Sequence, residues 1–115
     1  MYKSILFFIL GLFITINSYS QDKKIIETAF NVSGVCEMCK ARIENAALLN
    51  GVKKVNWDKN SQTLHIIYRK DKVELMDIHK AVAAAGHDTS ELKANDEAYK
   101  KIPACCSYKD GVKVH

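Results

Sequence analysis

Between Ile25 and Leu92 the apolar residues change period in a fixed order, and that order restricts the chain to very few folds. Ile25–Val32 (IIETAFNV) alternates at Ile26, Thr28, Phe30 and Val32 and is rich in β-branched and aromatic residues, as a half-buried strand requires. Gly34 ends it. From Glu37 to Leu49 the period changes to that of a helix: Cys39, Ile43, Ala46 and Ala47 form one stripe, and Lys40, Arg42, Glu44 and Asn45 lie largely on the other. Asn50-Gly51 stops this helix. Val52–Trp57 and Thr63–Arg69 read as two strands of a hairpin across the turn-formers Asp58-Lys59-Asn60-Ser61. In the second of these strands, Leu64, Ile66 and Tyr68 share the face expected to meet the core.

Asp71 is expected to cap a second helix, about Lys72–Ala85, with Glu74 placed to complete a capping box and Leu75, Ile78, Val82 and Ala85 turned inward. Gly86 ends that helix, and a short last strand is expected around Asp88–Leu92. Strand, helix, strand, strand, helix, strand is the split βαβ, ferredoxin-like α+β arrangement, an antiparallel sheet with both helices on one face. Beyond it, Lys93–Lys101 is polar and has room for one helical turn before Pro103, the only proline.

The first twenty residues stand apart. Lys3 precedes an apolar run, Ile5–Ile16, and then Asn17-Ser18-Tyr19-Ser20, which reads as a secretory signal peptide cut between Ser20 and Gln21. Twelve apolar residues fall short of the roughly 20 needed to span a bilayer, so no membrane span is expected after signal removal. The mature chain, residues 21–115, would be periplasmic or secreted and suffices for one small domain. Its formal charge falls from +4 to +3, because Lys3 is the only charged residue removed. Such a mild excess, with Lys and Glu interleaved, gives no reason to expect a nucleic-acid partner.

All four cysteines lie in the mature part, as two tight pairs: Cys36-Glu37-Met38-Cys39 and Cys105-Cys106. A disulfide-stapled fold spreads its cysteines to close long loops, and a bridge within either pair would constrain the unfolded chain very little. Cys36 and Cys39 instead flank the first turn of the first helix. There the unpaired N–H groups and the positive end of the helix dipole favour thiolates, and residues three apart share a face. Thiolates are the metal-binding form of cysteine, and they prefer thiophilic ions: Cu(I) first, with Hg(II) or Zn(II) as alternatives.

With these residues the chain resembles the heavy-metal-associated domain family. The resemblance rests on Val32-Ser33-Gly34 closing the first strand, Cys36-x-x-Cys39 opening a helix, Gly51-Val52-x-x-Val55-x-Trp57, and Ala84-Ala85-Gly86-His87 closing the second helix. It implies a ferredoxin-like domain over residues 21–92 and either a metallochaperone that passes its ion to a metal-transporting ATPase or efflux component or a scavenger that sequesters it; the C-terminal extension, 93–115, lies outside the typical family module. The chain departs from the family pattern in having only Val35 between Gly34 and Cys36, where a Met and usually a Thr stand.

Cys105 and Cys106 either fold back to enlarge the site to three or four sulfurs, or remain an exposed, oxidisable pair. His87, at a loop position where the family often carries Tyr, Phe or His, is a candidate ligand or tuning residue against the plainer reading of a surface histidine. His65 and His79 are expected to be solvated and His115 is unassigned. Glu37 reads as a first-turn acid, Met38 as surface or partial core, and Trp57 and Tyr68 as packing. No Ser/His/Asp set, paired carboxylates or phosphate loop suggests an enzyme. The competing reading is a thiol–disulfide oxidoreductase in which Cys105-Cys106 recharges Cys36-x-x-Cys39.

Overall fold

The computed structural model describes residues 24–115, so the expected signal segment lies outside the described residues. Three strands, β1 (Ile25–Asn31), β2 (Val52–Asp58) and β3 (Thr63–Arg69), form an antiparallel sheet in the order β1-β3-β2. The register follows the side-chain alternation: Phe30 and Trp57 both lie opposite Leu64, while Thr28 and Val55 lie opposite Ile66. Leu64, Ile66 and Tyr68 are buried and His65 is exposed, as the period of two requires.

Helices α1 (Glu37–Ala47) and α2 (Leu75–Ala84) supply the other half of the core. Cys39, Ile43 and Ala47 of α1 and Ile78 and Val82 of α2 are fully buried with the inner face of the sheet. The Lys40 ammonium ties α1 to β2, donating to Glu44 Oε2 at 2.6 Å and to the Trp57 carbonyl at 2.9 Å, while Glu44 accepts from the Trp57 N–H at 2.9 Å. The Arg42 guanidinium donates to the Ala85 carbonyl at 2.9 Å and joins α1 to the end of α2. Among the described residues, no helix is long and apolar enough to cross a membrane.

The ferredoxin-like α+β fold is present, with local corrections. The capping box of α2 is Glu74 with Asp77, so the helix starts later than expected; Asp71 is instead held by Arg69, at 2.9 Å from Nη2. A carboxylate two residues from a guanidinium gains a bidentate partner, which outcompetes a cap. The last strand shrinks to one bridge, Val32 with Thr89. Ser33 N–H still donates to the Asp88 carbonyl and Ser90 N–H to that of Asn31. The Thr89 hydroxyl, however, accepts from the Glu91 and Leu92 N–H groups, and Asp88 Oδ1 accepts from Ala94 N–H. Such side chains offer the backbone a turn in place of a ladder.

His79 is buried rather than solvated: its ring lies 3.8 Å from that of Phe30 and Nδ1 lies 2.8 Å from Thr89 Oγ1. Burial holds its pKa below the ordinary 6.5.

After Leu92 the chain returns across the domain. A short helix α3 (Asp96–Lys100), capped by Asn95, gives the single turn expected before Pro103, and 3₁₀ turns follow at Ala104–Cys106 and Tyr108–Asp110. Gly86 makes the close approach possible. Its φ is +105°, and a Cβ there would lie 2.6 Å from Ile102 Cγ2 and 2.8 Å from the Ala98 carbonyl oxygen. The Tyr108 hydroxyl then donates to the Gly86 carbonyl at 2.8 Å and accepts from the Asp88 N–H at 3.0 Å.

Candidate metal centre

The site is built from a tight loop and a returning tail. Val32 follows β1, its carbonyl accepting from the Trp57 indole N–H at 3.0 Å, and Gly34 N–H donates to Gln62 Oε1 at 2.9 Å. A Cβ on Gly34 would lie 2.9 Å from the Trp57 ring, so glycine is what lets the loop run over the indole. Val35 is buried, and its carbonyl accepts from the N–H of His115 at 2.8 Å. Cys36 then sits in extended conformation at the N-cap of α1, its carbonyl accepting the first helical hydrogen bond from Lys40.

Cys36 Sγ lies 3.5 Å from Cys39 Sγ and 3.6 Å from Cys106 Sγ, and all three sulfurs fall within 4.8 Å of one another. Of the two arrangements open to the tail, the structure takes the folded-back one. Cys105 comes within hydrogen-bonding range of Cys36, at 4.0 Å, and of Met38 Sδ, at 3.7 Å, but stays outside the three-sulfur group. All four cysteines are free thiols.

The three sulfurs differ in acidity. Burial pushes the Cys36 thiol up, but the Cys39 N–H, the Cys39 and Cys106 sulfurs and the Met38 N–H together outweigh it and leave its pKa at about 7. Burial keeps Cys39 above its ordinary value, and burial with two sulfur neighbours pushes Cys106 far higher. Cys36 is thus the sulfur of the three that ionises most readily, and a cation that displaces the thiol protons would bind three sulfurs.

His87 is fully buried and not the surface residue of the plainer reading. Its Nδ1 lies 2.8 Å from the Ser33 carbonyl oxygen, its ring stacks on Tyr108, and its Nε2 is buried without a hydrogen-bond partner. It does not join the three-sulfur group. Its place is under the site loop, where burial lowers its pKa. Glu37 and Met38 point outward, Met38 at 51% exposure, and Trp57 and Tyr68 are buried packing residues as expected. Tyr108 was not signalled by the sequence, since nothing in a polar tail marks which aromatic will bridge two backbone groups.

Comparison with known proteins places the domain that carries Cys36 and Cys39. A sequence model of the Heavy-metal-associated domain matches residues 29–88, and no curated protein matches the chain. Among solved structures, a Bacillus anthracis str. Ames protein to which copper-ion binding is ascribed is 26% identical, with a TM-score of 0.55 over 57% of this chain and 96% of that one. The water-soluble region of the P-type ATPase CopA from Bacillus subtilis is 28% identical, with a TM-score of 0.53 over 56% of this chain and 44% of that one. The CopZ metallochaperone, at 24% identity, shares the fold with a TM-score of 0.54 over 56% of this chain and 98% of that one. The tail lies beyond the matched residues. With the matched region covering more than half of its length, the chain belongs to the heavy-metal-associated domain family.

Proposed function

We propose that this protein captures Cu(I) at Cys36 and Cys39, with Cys106 as third sulfur, and either carries it to a metal-transporting ATPase or efflux component or sequesters it. The observation that carries the reading is the convergence of three buried sulfurs from two distant segments within 4.8 Å. Membership of a heavy-metal-binding family supports it, as does likeness to a protein with ascribed copper binding and to part of a P-type ATPase. Three soft donors suit Cu(I) or Hg(II), whereas a closed zinc site wants four. The protein acts as a carrier and not as an enzyme, and the leader-like residues 1–20 support a place in the periplasm or outside the cell.

The test is Cu(I) competition against a chromophoric chelator on the reduced full chain. A single Cu(I) should bind, and Cys36→Ser with Cys39→Ser should abolish it; equal retention by that double variant overturns the reading. The oxidoreductase alternative draws on the same Cys36, whose pKa of about 7 suits thiol exchange. It requires the metal-free protein to reduce a test disulfide.

A further inference from the structure

The three inner sulfurs are hard to reach. Cys39 and Cys106 are 0% exposed and Cys36 only 6%, yet an ion moves between thiolates by ligand exchange, the incoming sulfur bonding before the outgoing one leaves. While the tail is docked, a donor's ligand therefore cannot approach Cys39 or Cys106 directly. Two further sulfurs stand outside them: Cys105 Sγ, half-buried, and Met38 Sδ, 3.7 Å from it. Cys105 is also 4.0 Å from Cys36, so the four sulfurs from Met38 to the buried group form an unbroken path. Cys105 also packs against the core, but packing does not explain Met38, which is 51% exposed and still places its sulfur beside that of Cys105. Met38 sits in the first turn of α1 and Cys105 in the tail, so the pair exists only when the tail is docked.

We infer that Cys105 and Met38 form an outer two-sulfur station that takes a soft monovalent cation from a donor and passes it through Cys36 to the buried site. This rests on the Cu(I)-carrier reading. In the first step Cys105 Sγ bonds the ion and gives its thiol proton to water, Met38 Sδ adds as a neutral, weakly held ligand, and the donor's bonds to the ion break as its ligands depart. The Cys36 thiolate then bonds the ion as the Met38 bond breaks. Cys39 and Cys106 follow, each releasing a proton to solvent, and Cys105 leaves and takes up one proton. The metal stays Cu(I) throughout, and release is the same path reversed.

The test follows Cu(I) transfer from its bicinchoninate complex to the reduced full-length protein by stopped-flow absorbance, alongside equilibrium competition, in wild type, Cys105→Ser and Met38→Leu. Both variants should take up Cu(I) about tenfold more slowly, the scale on which groups outside the inner ligands act, with equilibrium affinity unchanged. Met38→Leu changes an exposed side chain, so it keeps the test decisive should Cys105→Ser fold poorly. Wild-type rates in Met38→Leu overturn the station. Affinity falling in step with rate also overturns it, because Cys105 would then be an inner ligand. A wild-type protein that takes up no Cu(I) brings down the carrier reading itself, whereas fast variants beside a Cu(I)-binding wild type bring down the station alone.

Discussion

The sheet-and-helix domain and the tail that crosses it are held by different means. The domain rests on two strand ladders and a continuous buried stripe in which Ile43, Leu64, Ile78 and Val82 are 0% exposed. The tail has a five-residue helix with no buried residue and adds only Ile102 and Cys106 to the buried core; Tyr99, Tyr108 and Val112 pack half-buried against that core, and the Tyr108 hydroxyl holds the Gly86 and Asp88 backbone. A continuous core unfolds as a unit, while a segment with few buried apolar contacts opens locally at lower free energy. The metal site is built where the two meet, so a bound ion would join a cooperative element to a loose one and stabilise both.

The largest effect that can test this contrast is Ile43→Ala. Ile43 is fully enclosed beneath the sheet, and its truncation should cost about 2–5 kcal/mol, as buried Ile→Ala changes do. Trp57, the only tryptophan, is 1% exposed beside the site loop and reports domain unfolding by fluorescence in a denaturant titration. A loss below about 1 kcal/mol would mean that the core is not the cooperative element.

Acid should act next most strongly on the metal-free chain. His79 lies inside the domain and His87 at the domain–tail junction, facing the Tyr108 ring, Asp88 and Arg42, and burial depresses both below 6.5. Unfolding lets each take a proton near 6.5 that the folded state refuses. The stability from their neutral burial is therefore complete above 6.5 and is lost as pH falls below it, by at most about 2.7 kcal/mol per pH unit for two protons. Urea midpoints measured on either side of 6.5 check this, and His87→Gln should remove its share of the slope. A flat profile would show that neither histidine is held neutral.

How far the sequence carried the structure follows the same division. β1, β2, β3 and the inner stripe of α1 were legible because each buries one face at a regular period, and the paired thiols were legible because their spacing fixes them at a helix start. What failed depended on competition between local polar partners. Asp71 went to Arg69 instead of a cap, and Asp88 and Thr89 turned the last strand back on itself. His79 read as solvated, and His87 stayed open between a ligand or tuning role and a surface histidine, because burial of an imidazole depends on partners distant in the chain, Thr89 for one and Ser33 for the other. The folded-back tail was one of two open alternatives, since no periodicity distinguishes a docked segment from a free one.

Cys106→Ser tests whether the tail belongs to the site. Replacing a buried sulfur by a hydroxyl removes a soft donor, and Cu(I) affinity should fall about 10–100-fold with Trp57 unfolding little changed. Unchanged affinity would confine the site to Cys36 and Cys39 and return the tail to the role of a cover.

The smallest and sharpest test is Tyr108→Phe. Its hydroxyl satisfies one carbonyl and one N–H at the turn that carries His87, and burial raises the phenol's pKa, so it stays a neutral donor across the working range. Removing it leaves two backbone groups short of a partner, at a cost of about 1–1.5 kcal/mol, and the ring keeps its stacking on His87. If the tail opens on its own, amide exchange should quicken in residues 93–115 while the Trp57 midpoint stays within the error of wild type. If that midpoint drops as far as it does in Ile43→Ala, the tail belongs to the cooperative core, and the distinction between a rigid domain and a loosely docked sulfur donor is lost.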